Sequence, residues 1–200
     1  MNAKPDAPAT RRNREAILEV LRTEFATVRS VLEIGSGTGQ HAVYFGHALP
    51  DISWQTSDRA ENHEAIRAWM AAEALPNVLP PLELDVLAVD RVDRGYDAAF
   101  SANTAHIMSF AAVERMFRLV ATALQTGGMF CLYGPFNIDG EFTSESNRQF
   151  DRSLREQDES MGIRDLGELD KLAAASGLDR ERLYAMPANN MLAIWHRKGA

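Results

Sequence analysis

The residues best suited to chemistry lie around Val31-Leu32-Glu33-Ile34-Gly35-Ser36-Gly37-Thr38-Gly39-Gln40. An apolar, β-branched run ends at Glu33 and passes into closely spaced glycines. Such a loop turns tightly and lets a ligand approach the backbone, with the N-terminus of the next helix facing it. Two more acids stand in comparable places: Asp58, after a strand-like run at 52–56, and Asp85, in Leu82-Glu83-Leu84-Asp85-Val86. Acids therefore close the first three strand-like segments, at the carboxyl edge where ligands of parallel sheets bind. Two chemistries fit. Gly37-Thr38-Gly39-Gln40-His41-Ala42 satisfies the looser dinucleotide form GxGxxA, and Asp58, 21 residues past Gly37, stands where a ribose-binding acid is expected. That describes an NAD(P)-dependent oxidoreductase. Glu33, however, would repel a pyrophosphate and attract an ammonium or sulfonium group. Taken singly, Asp58 and Asp85 also fit the ordinary use of Asp after a strand, capping a turn or helix.

Among the remaining polar residues, His106 in Asn103-Thr104-Ala105-His106 follows the fourth strand-like segment and is the candidate general base. It serves equally well as a loop hydrogen-bonding residue. His41 and His47 fall six apart in one helix, on different faces, and His63 and His196 have no partner in sequence. With one cysteine and no HExxH motif, a metal site is not expected. Cys131, inside Met129-Phe130-Cys131-Leu132-Tyr133, reads as a small core residue. Beyond it, Tyr133, Phe136, Asn137, Asn147, Arg148, Asp151, Arg164, Asp165, Asn189 and Asn190 cluster in turn-rich segments. We assign Tyr133, Phe136, Asn137, Arg148, Asp151, Arg164 and Asn189, with Asn13 from the first helix, to substrate binding. Arg148 and Arg164 are the anchors expected for a carboxylate or phosphate. The ordinary reading of these arginines is surface ion pairing, and that of Asn189-Asn190 is a hairpin turn.

The elements that must position these residues alternate. Residues 1 to about 11 read as a disordered leader, with order beginning near Asn13. Ile17, Leu18, Leu21 and Phe25 then mark an amphipathic helix. Strands are expected at 28–34, 52–56, 82–86, 96–101 and 129–133. Helices are expected from Gln40 to Pro50, at 62–74 and at 111–124. This alternation predicts a mostly parallel sheet with helices on both faces. After Gly134 the pattern changes: a polar helix at 143–157 offers only Phe150 and Leu154 as apolar anchors. A helix at 166–175 and strands at 182–186 and 191–197, joined by 187–190, follow as a closing hairpin. The segment 134–165 is expected to cover the ligand edge, within one domain spanning 12–200.

Composition narrows the partners. Of 200 residues 46% are hydrophobic and 24% charged, as in an ordinary globular chain. The net charge of −7 disfavours nucleic acid, and no apolar run approaches a membrane span. A single cysteine and a start without an apolar signal region lead us to expect a cytoplasmic address.

The order Glu33, GSGTG, Asp58, Asp85 resembles the class I methyltransferases that use S-adenosylmethionine. That resemblance implies a Rossmann-like fold with a seven-stranded, mostly parallel sheet and an antiparallel C-terminal hairpin. It also implies Glu33, Gly35, Ser36, Gly37 and Gly39 beside the methionine and ribose of the cofactor, Asp58 on the ribose hydroxyls and Asp85 at the adenine amino group. Val86 would line the base, and Asn103 would pass near the methionine end. The strings RNREAILEVL, VLEIGSGTGQHAVYF, WQTSD, NTAHI, YGPFNIDGEFTSESNRQFD, GIRDL and MPANNMLAIW further resemble the DUF938 family, also called UPF0585 and, in animals, the methyltransferase-like protein 26 family. The resemblance runs from about Arg12 to Arg197 and implies a methyltransferase-like fold with S-adenosylmethionine as cofactor; we expect from it, with the covering segment and the net charge, S-adenosylmethionine-dependent methyl transfer to a small-molecule acceptor. Besides the oxidoreductase, a non-catalytic S-adenosylmethionine-binding module is the other reading to separate.

Overall fold

The computed structural model describes residues 4–92 and 95–199. Helix α1 spans Pro8–Glu24, and β1 (Ser30–Glu33) leads through the glycine loop into α2 (Gln40–Ala48). β2 (Ser53–Asp58), α3 (His63–Glu73), β3 (Val78–Glu83), β4 (Tyr96–Ala102), α4 (Phe110–Ala123) and β5 (Leu124–Gly134) follow. Then come β6 (Phe136–Asn137), α5 (Glu145–Gln157), β7 (Arg164–Asp165), α6 (Leu166–Ala175), β8 (Leu178–Met186) and β9 (Asn190–Arg197). Among the described residues a seven-stranded sheet has the order β3-β2-β1-β4-β5-β9-β8. Its first five strands are parallel; β9 runs antiparallel to β5, and β8 to β9. This is the doubly wound, mostly parallel sheet with a closing hairpin that the alternation implied.

Strand periodicity sorts the core into two layers. Leu32, Phe130 and Leu132 face α4 and α6, where Val113, Met116, Phe117 and Leu169 are buried. Val31, Met129, Cys131 and Tyr133 face the layer of α1 and α2, with Ile17, Leu21 and Phe45. Both faces of the central strands are therefore covered, which directs polar chemistry to the ends of these strands.

The first helix, the third strand and the starts of β5 (Leu124, not 129) and β8 (Leu178, not 182) differ from expectation. The first helix starts at Pro8, not near Asn13, so the leader expected over 1 to about 11 narrows. Proline occupies a first-turn position, where its missing N–H costs nothing. Residues 4–7 are tied down ahead of it: Trp69 Nε1 donates to the Pro5 carbonyl at 2.8 Å, Ala7 N donates to Gln40 Oε1, and Lys4 Nζ lies 3.1 Å from Glu73 Oε1. Residues 1–3 of that leader lie outside the described residues. The third strand runs over Val78–Glu83, not 82–86, and contains Pro80 and Pro81. It tolerates them because it is an edge strand, and Gln55 Nε2 and Thr56 Oγ1 of β2 donate to the Pro80 and Leu79 carbonyls at 2.6 and 2.8 Å. Asp85 thus lies in the loop beyond β3. Finally, β6 pairs with β7 in a small parallel sheet that no sequence pattern announced.

Candidate functional site

The carboxyl ends of β1, β2 and β4 and the loop after β3 converge on a cavity of about 670 Å³, a volume ordinary for a small-ligand site. Gly35, Gly37, Asp58, Asp85, Val86 and Asn103 line it, so six of the nine sequence-selected cofactor residues come together on one wall. Each loop glycine has a positive φ, but for different reasons. A Cβ on Gly35 would lie 2.7 Å from Thr104 Cγ2, and one on Gly39 would lie 3.0 Å from Ile66 Cα, so these two permit close packing. A Cβ on Gly37 would meet nothing within 4 Å, leaving that backbone open toward the cavity.

Asp58 holds the loop in place. Its Oδ2 accepts the Gly37 N–H at 2.7 Å, and its Oδ1 accepts from Arg59 N and Asn62 Nδ2, both at 2.8 Å. It is therefore a cap and a cavity wall at once. Asp85 Oδ1 accepts from Leu87 N at 2.9 Å, an Asx-type turn that re-aims the chain after β3. Asn103 takes a left-handed conformation, φ +61°, and its N–H donates to the Tyr133 carbonyl at 2.9 Å. Thr104 Oγ1 lies 2.6 Å from Ser101 Oγ, which donates to the Ile34 carbonyl.

Glu33, Ser36 and Gly39 are not on that wall. Glu33 lies beneath the loop at 2% exposure, its Oε2 accepting from Ser36 Oγ at 2.8 Å and Trp54 Nε1 at 3.1 Å. Burial pushes its carboxyl up from 4.5 to about 7, against the two hydrogen bonds, while Asp58 pushes in the same direction as burial. The sequence leads one to expect Glu33 as a charge facing the ligand; the fold makes it a buried acid, largely protonated below neutrality.

His106 is buried at the carboxyl end of β5. Its Nδ1 lies beside Gly134, and its ring meets Phe150 edge-on at 5.2 Å. Burial, and secondarily the Arg164 guanidinium, lower its pKa to about 4, so the imidazole is neutral at physiological pH. Arg164 does not stand free as an anchor. Its Nε donates to the Ala105 carbonyl at 3.0 Å, and its Nη2 donates to the carbonyls of Ser160, at 2.8 Å, and Met108. Sequence offers no sign that a guanidinium will be consumed by backbone, which is why the anchor reading arose. With Gly162 N donating to the His106 carbonyl at 2.9 Å, Arg164 zips segment 158–164 onto loop 105–108.

The other substrate candidates divide. Arg148 is a half-buried helix residue, its Nε 3.3 Å from Glu145 Oε2 and its guanidinium over the Phe142 ring. Asp151 is buried and accepts from Arg155 Nε and Ile163 N, both at 2.8 Å. Asn189 adopts φ +56° in the hairpin turn, and its carbonyl accepts from Asn147 Nδ2 at 3.0 Å. Phe136 is core, and the buried Asn137 Oδ1 has no hydrogen-bond partner. Tyr133 and Asn13 meet on the α1 side of the sheet, where Asn13 Oδ1 lies 2.8 Å from His41 Nε2; burial raises the Tyr133 phenol, and Asn13 partly offsets this. Sequence reasoning missed Asn62, Thr104, Ile107, Met108, Asp158, Ser160 and Met161, all on the cavity wall. Segment 158–161 lies some 125 residues past the loop, and nothing local to it signals the pairing of β6 with β7 that returns it there.

Among the described residues no three or more of His, Cys, Asp and Glu are grouped to hold a metal ion, and no helix is long and apolar enough to cross a membrane. The strand order, the antiparallel terminal hairpin and the cleft over the glycine loop define a Rossmann-like class I methyltransferase fold. Solved structures agree. SibL, an S-adenosylmethionine-dependent methyltransferase in its apo form, superposes with a TM-score of 0.78 at 20% identity, over 95% of this chain and 56% of that one. An O-methyltransferase family protein from Burkholderia thailandensis gives 0.78 at 16% identity over 94% and 59%, and PigF with SAH gives 0.77 at 16% over 90% and 54%. The chain thus spans little more than half the length of these neighbours. At the level of sequence it belongs to the DUF938 family, described as a protein of unknown function, whose model matches residues 4–197.

Proposed function

We propose that this protein binds S-adenosylmethionine in the cavity above the glycine loop and transfers its methyl group to a small-molecule acceptor. The carrying observation is the 2.7 Å hydrogen bond from Gly37 N–H to Asp58 Oδ2. A dinucleotide needs such loop N–H groups for its pyrophosphate, and here a carboxylate already takes one and would repel the phosphates. Asp85 and Asp158 on the same cavity add negative charge that favours a sulfonium and an ammonium. The open Gly37 backbone supplies the close approach that the ligand needs. Gly35, Gly37, Asp58, Asp85, Val86 and Asn103 would hold it, with Asp58 toward the ribose hydroxyls and Asp85 and Val86 at the base.

When bound, S-adenosylmethionine supplies an activated methyl whose transfer leaves the electron pair on sulfur. The chain's own part is to align the acceptor, exclude water and receive a proton. His106 is the residue for that last role. An oxygen that has gained a methyl while keeping its proton is a far stronger acid than imidazolium, so a histidine with a low pKa still accepts that proton. Segment 134–165 forms the cover, a reading supported by Asp158, Ser160 and Met161 on the cavity wall. We place this activity in the cytoplasm, consistent with a lone buried cysteine.

Calorimetry with S-adenosylmethionine, its demethylated product and NAD tests the reading, together with mass spectrometry of ligand retained through purification. Micromolar binding of the methyl donor or its product, with none of NAD, is expected. NAD binding without either would overturn it, and cofactor binding with no turnover on any acceptor would leave a binding module.

A further inference from the structure

We infer that the acceptor is an uncharged, largely apolar molecule, and that the site selects against carboxylates and phosphates. This rests on the methyltransferase reading above and goes beyond it by naming the chemistry of the second substrate.

The first line of argument is charge. The described residues lining the cavity include three carboxylates, Asp58, Asp85 and Asp158, against one cation, Arg59. Arg59 is itself paired with Glu61. The two arginines that sequence offers as anion anchors are engaged elsewhere: Arg164 by three backbone carbonyls, Arg148 by Glu145 and the Phe142 ring. His106, buried beside Gly134 and Phe150, is a neutral imidazole and adds no positive charge. An anionic acceptor would therefore lose its hydration without finding a free cation, beside carboxylates that repel it.

The second line is the rim. Leu87 and Ile107 line the cavity yet are 57% and 50% exposed. Phe110 follows Ile107 at the start of α4, and Phe150 lies against the His106 ring from α5; they are 40% and 39% exposed. Large apolar side chains left in water at the mouth of a cavity, as Leu87 and Ile107 are, are the usual mark of an apolar ligand's entry path, and Phe110 and Phe150 add exposed apolar surface on α4 and α5. Leu154, one turn from Phe150 on the same helix, is buried, so Phe150 is not the residue that holds α5 to the domain.

The test uses the full chain saturated with the demethylated cofactor product and two probes of one shape, 2-naphthol and 6-hydroxy-2-naphthoate, followed by calorimetry. The naphthol is expected to bind at least tenfold more tightly. Phe150→Lys, an exposed position that adds a cation beside His106, is expected to move this ratio about tenfold toward the naphthoate while leaving cofactor-product affinity unchanged. Equal or tighter binding of the naphthoate by the unsubstituted protein, or no binding of the naphthol up to its solubility limit, overturns the inference. Failure of the cofactor product itself to bind, read in the preceding titration, would instead defeat the methyltransferase reading.

Discussion

Replacing Glu33 by Gln isolates the most strongly perturbed acid near the glycine loop. The carboxyl is buried under Ser36 and Trp54, and its pKa is raised from 4.5 to about 7, chiefly by burial. In the unfolded chain the group ionises at its ordinary value, so between pH 4.5 and 7 the folded state holds a proton that the unfolded state has lost. Stability from this group is fully present below 4.5, falls as pH rises and levels off above 7. The 2.5-unit difference corresponds to about 3 kcal/mol across the window. Glutamine keeps an oxygen for the two donors and cannot ionise. Its stability relative to the wild type should therefore rise by about 2–3 kcal/mol between roughly pH 5 and pH 8. Urea unfolding of both proteins at the two pH values reads this directly, because contributions from other groups cancel in the difference. Parallel pH dependences for the two proteins would mean that Glu33 ionises normally and that water reaches it.

Three further outcomes follow from the same geometry. Gly37→Val should abolish cofactor binding in calorimetry while unfolding stays cooperative, since its Cβ would enter open cavity space and a φ of +57° disfavours a branched residue; equal loss of folding and binding would make the glycine structural. Arg164→Ala strands carbonyls of Ala105, Met108 and Ser160 and should cost about 3 kcal/mol in urea unfolding, whereas a change below about 0.5 kcal/mol would return Arg164 to the role of a free anchor. Burial holds His41 at about 3, well below 6.5, so the unfolded chain takes up a proton that the folded chain refuses and stability falls as pH drops through that window; His41→Phe should flatten this acid limb by about 1.4 kcal/mol per pH unit, and an unchanged slope would refute the neutral assignment.

Local pattern in the amino-acid sequence determined the sheet's alternation, the amphipathic stripe of α4, the glycine loop and the acids at or just past successive strand ends. Each depends on residues within a few positions of one another, where periodicity and turn chemistry act directly. Asp58 was legible as a site residue because the loop and the acid lie on adjacent parallel strands, which a βαβ unit brings together by construction. Tertiary structure alone decided the rest. It set Glu33 beneath the loop instead of on the cavity, because Ser36 and Trp54 close over it. It admitted Pro80 and Pro81 to a strand because that strand lies at an edge. It turned Arg164 from an apparent ligand anchor into a clamp on three carbonyls and brought 158–161 to the cavity through the pairing of β6 with β7. The physical reason is common to all four. A side chain's role in burial, charge and hydrogen bonding is set by neighbours distant in sequence, and those neighbours are chosen only when the whole chain packs.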